Sequence, residues 1–336
     1  MPPPVPGAEL CEPVRTVDAA ERFKMRVERE RPGHAVVIGA SYLGLEMAEA
    51  LVRQGVETTL VERGDQVMRS LDPEMAGHVQ DAAEGVGVRV LLSTAVEEIR
   101  HRDGRPCSVV TSEGELPAAH VVLSTGVRPE ARLAEEAGLR LGETGALAVD
   151  DHQRCLGADG AFAAGDCVES RHRLLDRPVN IQLGTHANKQ GRIAGTNATG
   201  GYIAFPGVIG TAASQICRYE VARTGLTERD AREAGFDTAA ATVKDRTRAG
   251  YYPGSGPIWV KLVAERGSER LLGGQIVGVE GAAKRIDVLA AVVWSGMAVD
   301  ELELLDLSYA PPFSGVYDPL LAAARQTRKA LDETRS

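Results

Sequence analysis

This 336-residue chain has no apolar run of the roughly 18 residues that a membrane-spanning helix needs. The apolar stretch 288–299 reads as a buried helix instead. The first seven residues, four of them proline, hold neither a basic segment nor an apolar one, so no secretion signal is read there. Cysteine is sparse. Cys11, Cys107, Cys155, Cys167 and Cys217 are scattered, odd in number and form no C-x-x-C pair, which excludes a disulfide framework and fits free thiols in a reducing cytoplasm. A net charge of −9 argues against nucleic acid or an anionic membrane as the main partner. Internal repeats are absent, and so are low-complexity tracts beyond the initial prolines. What remains, 43% hydrophobic and 25% charged, is ordinary for a soluble globular protein, and the length suffices for two or three domains with real cores.

The most informative stretch is Val36-Val37-Ile38-Gly39-Ala40-Ser41-Tyr42-Leu43-Gly44-Leu45-Glu46. A β-branched run ends in a glycine turn and passes at once into an amphipathic helix. That is the opening of a dinucleotide-binding unit, in which the helix N-terminus offers unpaired N–H groups and a positive dipole end to a pyrophosphate. Gly39 permits the turn and Gly44 lets helix and strand pack closely, while Ser41 stands where the middle glycine is usual. A second strand, 57–61, ends at Glu62, 23 residues beyond Gly39. An acid there accepts from a ribose 2′-OH and repels a 2′-phosphate, so NADH is expected over NADPH, with Arg63 keeping NADPH open.

The pattern predicts four segments. Residues 1–33 read as a linker with a helix over 17–30, and 34–126 as the dinucleotide domain. Within it a helix over 73–84 and a strand over 88–91 precede three alternating segments, two of them joined by an Asp103-Gly104 hairpin turn. The last strand, 120–124, runs into Gly126. Residues 127–200 hold strands over 146–149 and 161–164 and a helix over 185–198. Residues 201–336 read as α+β, with strands over 212–217, 219–224, 238–243, 258–263 and 271–279. Helices follow Thr227, span 282–295 and begin near Asp318.

Five blocks in fixed order then carry a resemblance: 39–46, 124–129, 160–167, 184–192 and 309–314. The sequence resembles the FAD-dependent pyridine-nucleotide disulfide oxidoreductases, in the branch of CoA-disulfide reductases, NADH oxidases and NADH peroxidases. The resemblance implies an α/β fold in which a Rossmann-like NAD domain is inserted in an FAD domain. A C-terminal α+β domain would build a homodimer. It implies that Gly165 and Asp166 hold the ribityl chain of FAD, and that the helix starting near Thr185 and Ala187 points its N–H groups at the flavin. Gly39, Ser41, Tyr42, Leu43, Gly44, Glu46, Glu62 and Gly126 would hold the dinucleotide. Tyr309 would approach flavin and substrate across the dimer interface, with His186 and Tyr317 near a CoA-type substrate. Electrons would pass from NADH through FAD to a disulfide or persulfide, or to oxygen or peroxide. No metal is expected.

The same family opens with its own glycine-turn unit for FAD and presents a redox cysteine there. This sequence is read as starting past both, with Cys11 in linker and Cys167 a small hydrophobe. The expectation is weaker FAD binding, by several powers of ten, and an open sheet edge near Ala146 and Ala161. A catalytically silent NADH-binding dimer, or one half of a split flavoprotein, is the alternative.

Overall fold

The computed structural model describes residues 5–11 and 14–333. Helix α1 (Val17–Glu30) starts at Thr16, whose hydroxyl accepts from the Ala19 N–H at 3.2 Å. Its buried Ala19, Phe23 and Val27 recur every four residues and so lie on one face, with Phe23 and Val27 packed into the core of the lobe that follows. That lobe runs β1 (His34–Ile38), α2 (Tyr42–Arg53), β2 (Glu57–Val61), α3 (Pro73–Gly85), β3 (Arg89–Leu91), β4 (Val96–Arg102), β5 (Arg105–Thr111), β6 (Gly114–Pro117) and β7 (His120–Leu123). Strands β3-β2-β1-β7 form a parallel sheet, and β4-β5-β6 an antiparallel meander whose first turn has Asp103 and Gly104 at positive φ. Alternation along β1 divides the packing. Val36 and Ile38 face Ile99 and Val109 of the meander, and Ala35 and Val37 face Leu45, Leu51, Met75 and Val79 of the helices.

Residues 127–200 contain α4 (Arg132–Glu136), the hairpin β8 (Ser170–His172) and β9 (Arg177–Val179), and α5 (Gly184–Ala198). The strands expected over 146–149 and 161–164 do not form as strands. Only isolated bridges form there, from Leu147 to both Leu141 and Val168, from Val149 to Cys155 and from Phe162 to Arg154. The chain bends every few residues at the positive-φ positions Gly145, Gln153, Gly157 and Gly160, so no ladder lengthens. The β8–β9 hairpin carries no sequence signal of comparable strength.

The C-terminal part comprises β10 (Ala212–Ile216), β11 (Tyr219–Gly225), α6 (Glu228–Glu233), β12 (Thr238–Arg246), β13 (Pro257–Glu265), β14 (Leu271–Gly278), α7 (Ala282–Ser295), α8 (Val299–Glu303) and α9 (Pro319–Asp332). Thr227 and Asp230 close a capping box on α6, and the Asp318 carboxylate caps α9 through the Leu320 N–H. The antiparallel order is β10-β11-β14-β13-β12. One face of this sheet buries Ile258, Val260, Leu262 and Ile276 against α7, α8 and α9. The other brings Ile216, Tyr219, Val221 and Val277 into the same core as α2 and α3. No helix among the described residues is long and apolar enough to cross a membrane.

A buried polar knot holds this shared interface. Lys261, 2% exposed, sits 3.0 Å from Asp72 Oδ2 and 2.8 Å from Glu228 Oε2, and also pairs with Glu74. Gln275 donates to Asp72 Oδ2 at 2.6 Å and accepts from the Asp72 N–H at 2.7 Å, and the Glu228 N–H reaches the same carboxylate at 3.1 Å. Burial pushes the Asp72 pKa up. The Glu228 N–H, the Lys261 charge and the Gln275 amide outweigh it, and the carboxyl ends below its ordinary range. Lys261→Met, which strands a buried carboxylate, is expected to lower the unfolding free energy by about 3 kcal/mol, measured by urea denaturation. Because the folded pKa of Asp72 lies below the unfolded one, its contribution is present above about pH 4 and lost as the pH falls through the folded value. Asp72→Asn should therefore flatten the acid limb of stability against pH.

Candidate functional site

A cleft of about 690 Å³ opens where the strands of the parallel sheet end. Gly39, at φ 99°, forms its floor: a Cβ there would lie 2.3 Å from the Ser124 carbonyl oxygen, and one on Gly44 would lie 1.9 Å from the Gly39 carbonyl oxygen. The two backbones thus cross with no room for side chains. Ser41 directly precedes α2 but its side chain does not cap it; its hydroxyl lies 3.0 Å from Ser124 Oγ, and the α2 N-terminus is left without a side-chain cap beside the cleft. On the opposite wall Glu62 accepts from the Ala40 N–H and the Gly64 N–H, both at 2.8 Å, which leaves one lone pair per oxygen for a ligand. Arg63, Arg69, Arg128 and Gly126 also line the cleft. An uncapped helix start, an anchored acid and surrounding guanidinium groups fit the pyrophosphate and diol of a dinucleotide. Leu43 is partly exposed on α2, and Glu46, on the exposed face of α2, receives the Ser214 hydroxyl at 2.5 Å, so it faces β10.

A second cavity, about 500 Å³, adjoins the first. The two share Val127, and Tyr42, whose hydroxyl receives Ser70 Oγ at 3.4 Å, lines the second. Its remaining walls come from His172, Arg177, Arg223 and the 181–183 segment that enters α5. Burial first, then the Arg223 and Arg177 charges, pull the His172 pKa down to about 4, and its Nδ1 accepts from the Leu174 N–H. This imidazole is neutral at neutral pH.

At the start of α5, Leu183 provides no side-chain cap and Thr185 is exposed. Gly165, at φ 87°, donates to the buried Gln190 at 2.9 Å, and a Cβ there would meet Ala187 Cβ at 3.4 Å, so this turn abuts the helix start. Asp166 is exposed, and among the described residues its carboxylate has no hydrogen-bond partner. An open acid beside an uncapped helix start fits a polyol and an electron-rich ring, as a flavin would present. His186 is half-buried, its Nδ1 3.3 Å from the Ile181 carbonyl, and it lines a third groove of about 790 Å³ between α5 and α7.

Tyr309 and Tyr317 line none of these three cavities. They stand on the loop before α9 with Phe313 and Val316, all largely exposed. Beside Tyr309 stands Tyr251, a residue without a sequence signal of its own. Arg285 ties the two loops together by donating to the carbonyls of Thr247 and Phe313 and to Asp318. The reading also missed Arg69 and the Lys261 knot, because neither lies near a motif. Three of the cysteines offer no activated thiol: burial pushes Cys11 and Cys217 up to about 11 and raises Cys155.

Two family models match the chain: the pyridine nucleotide-disulphide oxidoreductases over residues 1–191, and their dimerisation domain over 211–320. A CoA-dependent NAD(P)H sulfur oxidoreductase of Pyrococcus abyssi is 38% identical over 327 residues, which cover 96% of this chain and 72% of that one. An NADH oxidase of Methanocaldococcus jannaschii is 34% identical, over 98% of this chain and 73% of that one. Among solved structures, an NAD-dependent persulfide reductase from A. fulgidus superposes with a TM-score of 0.95 at 40% identity, over 99% of this chain and 62% of that one. The chain therefore spans roughly six tenths to three quarters of these relatives' lengths.

Gly39→Ala tests the cleft. It adds a Cβ against the Ser124 carbonyl at a φ that costs a non-glycine residue about 1–2 kcal/mol, and should weaken NADH binding at least about tenfold by fluorescence titration.

Proposed function

Because this chain belongs to the pyridine nucleotide-disulphide oxidoreductase family, we propose that it is an FAD- and NADH-dependent oxidoreductase that reduces a small-molecule disulfide or persulfide. The observation that carries this reading is the continuity from the Glu62 cleft, past Tyr42 and Val127, to the open start of α5. One dinucleotide laid along it keeps its adenosine at Glu62 and brings its nicotinamide beside the α5 entrance. FAD, when bound, takes up hydride from NADH and releases electrons to the acceptor. The chain's own residues bind and orient. Gly39, Ser41 and Gly44 admit the pyrophosphate, Asp166 receives flavin hydroxyls, and the α5 start at Thr185 and Ala187 favours negative charge on the flavin ring. The reaction balances as NADH, a proton and a persulfide giving NAD⁺, a thiol and hydrogen sulfide. The relatives' names support a sulfur acceptor carried on CoA, and NADH oxidases among them support oxygen as the second acceptor.

The proposed division is 34–126 for NAD, 127–200 for FAD and 201–336 for dimerisation. The exposed face of Tyr309, Phe313, Val316 and Tyr317 supports a homodimer in which Tyr309 meets substrate from the partner's side. His186 and Tyr317 are assigned to the substrate. Free cysteines and a soluble nucleotide donor support a cytoplasmic setting.

The test is a visible spectrum of the purified chain after incubation with FAD and desalting, then after addition of NADH. About one retained flavin per chain that bleaches with NADH is expected; no retained flavin with NADH still bound would leave a dinucleotide-binding module instead. Asp166→Ala should abolish retention, and Tyr309→Phe should leave bleaching intact while slowing turnover with CoA disulfide or CoA persulfide about 10-fold or more. Arg63 and Arg69 beside Glu62 support NADPH as a second donor. Glu62→Gln should improve NADPH binding several-fold and weaken NADH, read as a ratio of dissociation constants.

A further inference from the structure

The loop between β2 and α3 belongs to the dinucleotide lobe in sequence, yet the C-terminal sheet and α6 hold it in place. Three consecutive grips fall on four residues. Arg229 of α6 donates to the Arg69 carbonyl at 2.9 Å, and Arg223 of β11 donates to the Ser70 carbonyl at 3.0 Å. Gln275 of β14 makes two bonds to Asp72, one to its carboxylate and one to its N–H. Its own lobe holds the loop too, through the Met68 N–H on the Ala40 carbonyl at 2.8 Å and the Gly64 carbonyl on the Ser93 N–H at 2.7 Å, but both bonds fall before the gripped residues. Two of the loop's side chains reach the cofactor path, while Val67, Met68 and Leu71 are buried in the core. Arg69 lines the first cleft, and Ser70 lines the second cavity and donates to the Tyr42 hydroxyl.

We propose that Gln275 and Arg223 are positioning residues for the nicotinamide half of the bound nucleotide. They fix Ser70 so that its bond to Tyr42 sets where that ring stands between the two cavities. The C-terminal domain then serves hydride transfer from within its own chain, apart from any role in dimer formation. The physical requirement is rigidity at a wall. Tyr42 is the first residue of α2 and half-buried, its ring packed partly on the core and its hydroxyl the end that Ser70 holds. Ser70 can hold it only if the 69–72 backbone is held first. A bidentate amide and a guanidinium, both anchored in β-sheet, give that backbone one geometry.

This inference rests on reading the first cleft and second cavity as one dinucleotide site, and the experiment separates the two. NADH, which would occupy both cavities, and ADP-ribose, which would occupy only the first, are titrated against wild type, Gln275→Leu and Arg223→Gln. Each variant is expected to weaken NADH about tenfold while ADP-ribose stays within about twofold. With Ser70→Ala already present, Gln275→Leu should weaken NADH no further than about twofold, since the link it acts through is gone. Equal weakening of NADH and ADP-ribose, or no change in either, would overturn the positioning role while leaving the nucleotide site in place. If wild type bound neither probe, the site reading and this inference would fall together. Arg223→Gln keeps the test open should Gln275→Leu fail to fold.

Discussion

One hydrophobic core shared by two sheets governs the architecture. Ile216, Tyr219, Val221 and Val277 of the antiparallel sheet bury themselves among Leu51, Met75 and Val79 of the parallel lobe's helices. Apolar area removed from water in this way is non-directional, so by itself it would permit many relative orientations. The polar knot of Lys261, Asp72 and Gln275 sits in the same interface and has one satisfied arrangement. Burial makes any other arrangement costly, because each broken bond strands a charge or an amide away from water. Adhesion comes from the apolar contacts and orientation from the polar ones.

That fixed orientation defines the path for a cofactor. The cleft at Glu62 is built mostly by the parallel lobe, with Val127 and Arg128 at its rim, but the cavity beyond Tyr42 takes walls from β8, the α5 entrance and β11. If the two lobes turned against each other, the first cleft would survive and the second would not. The open helix starts at Ser41 and Leu183 flank this path from opposite ends, each offering unpaired donors to a negatively charged group. The exposed aromatics of the loop before α9 lie elsewhere on the chain. Tyr309 and Tyr251 are exposed, and Arg285 joins the loops that carry them through the Thr247 and Phe313 carbonyls.

The parts legible beforehand were those with short-range causes. Gly39 and Gly44 are needed where backbones pass within contact distance, and the order of strand, turn and helix around them is local. The capping box at Thr227 and the hairpin at Asp103-Gly104 follow from side-chain chemistry within a few residues. The strands expected over 146–149 and 161–164 show the limit of that reasoning. Their composition favours extended chain, but a ladder needs a continuous partner, and left-handed turns at Gly145, Gly157 and Gly160 deny one.

The order of elements in the parallel lobe and the C-terminal sheet, the glycine turn of Gly39 and Gly44 and the family itself were determined by the sequence alone, because each is encoded by neighbours along the chain. Tertiary structure alone decided that Glu46 faces Ser214, that Arg69 stands beside Glu62, that Tyr251 stands beside Tyr309, and that Lys261 and Gln275 grip Asp72 across about 190–200 residues. Such contacts follow from which faces of two sheets are buried against each other. That choice is made by the sum of many weak apolar contacts, and no single stretch of sequence carries it.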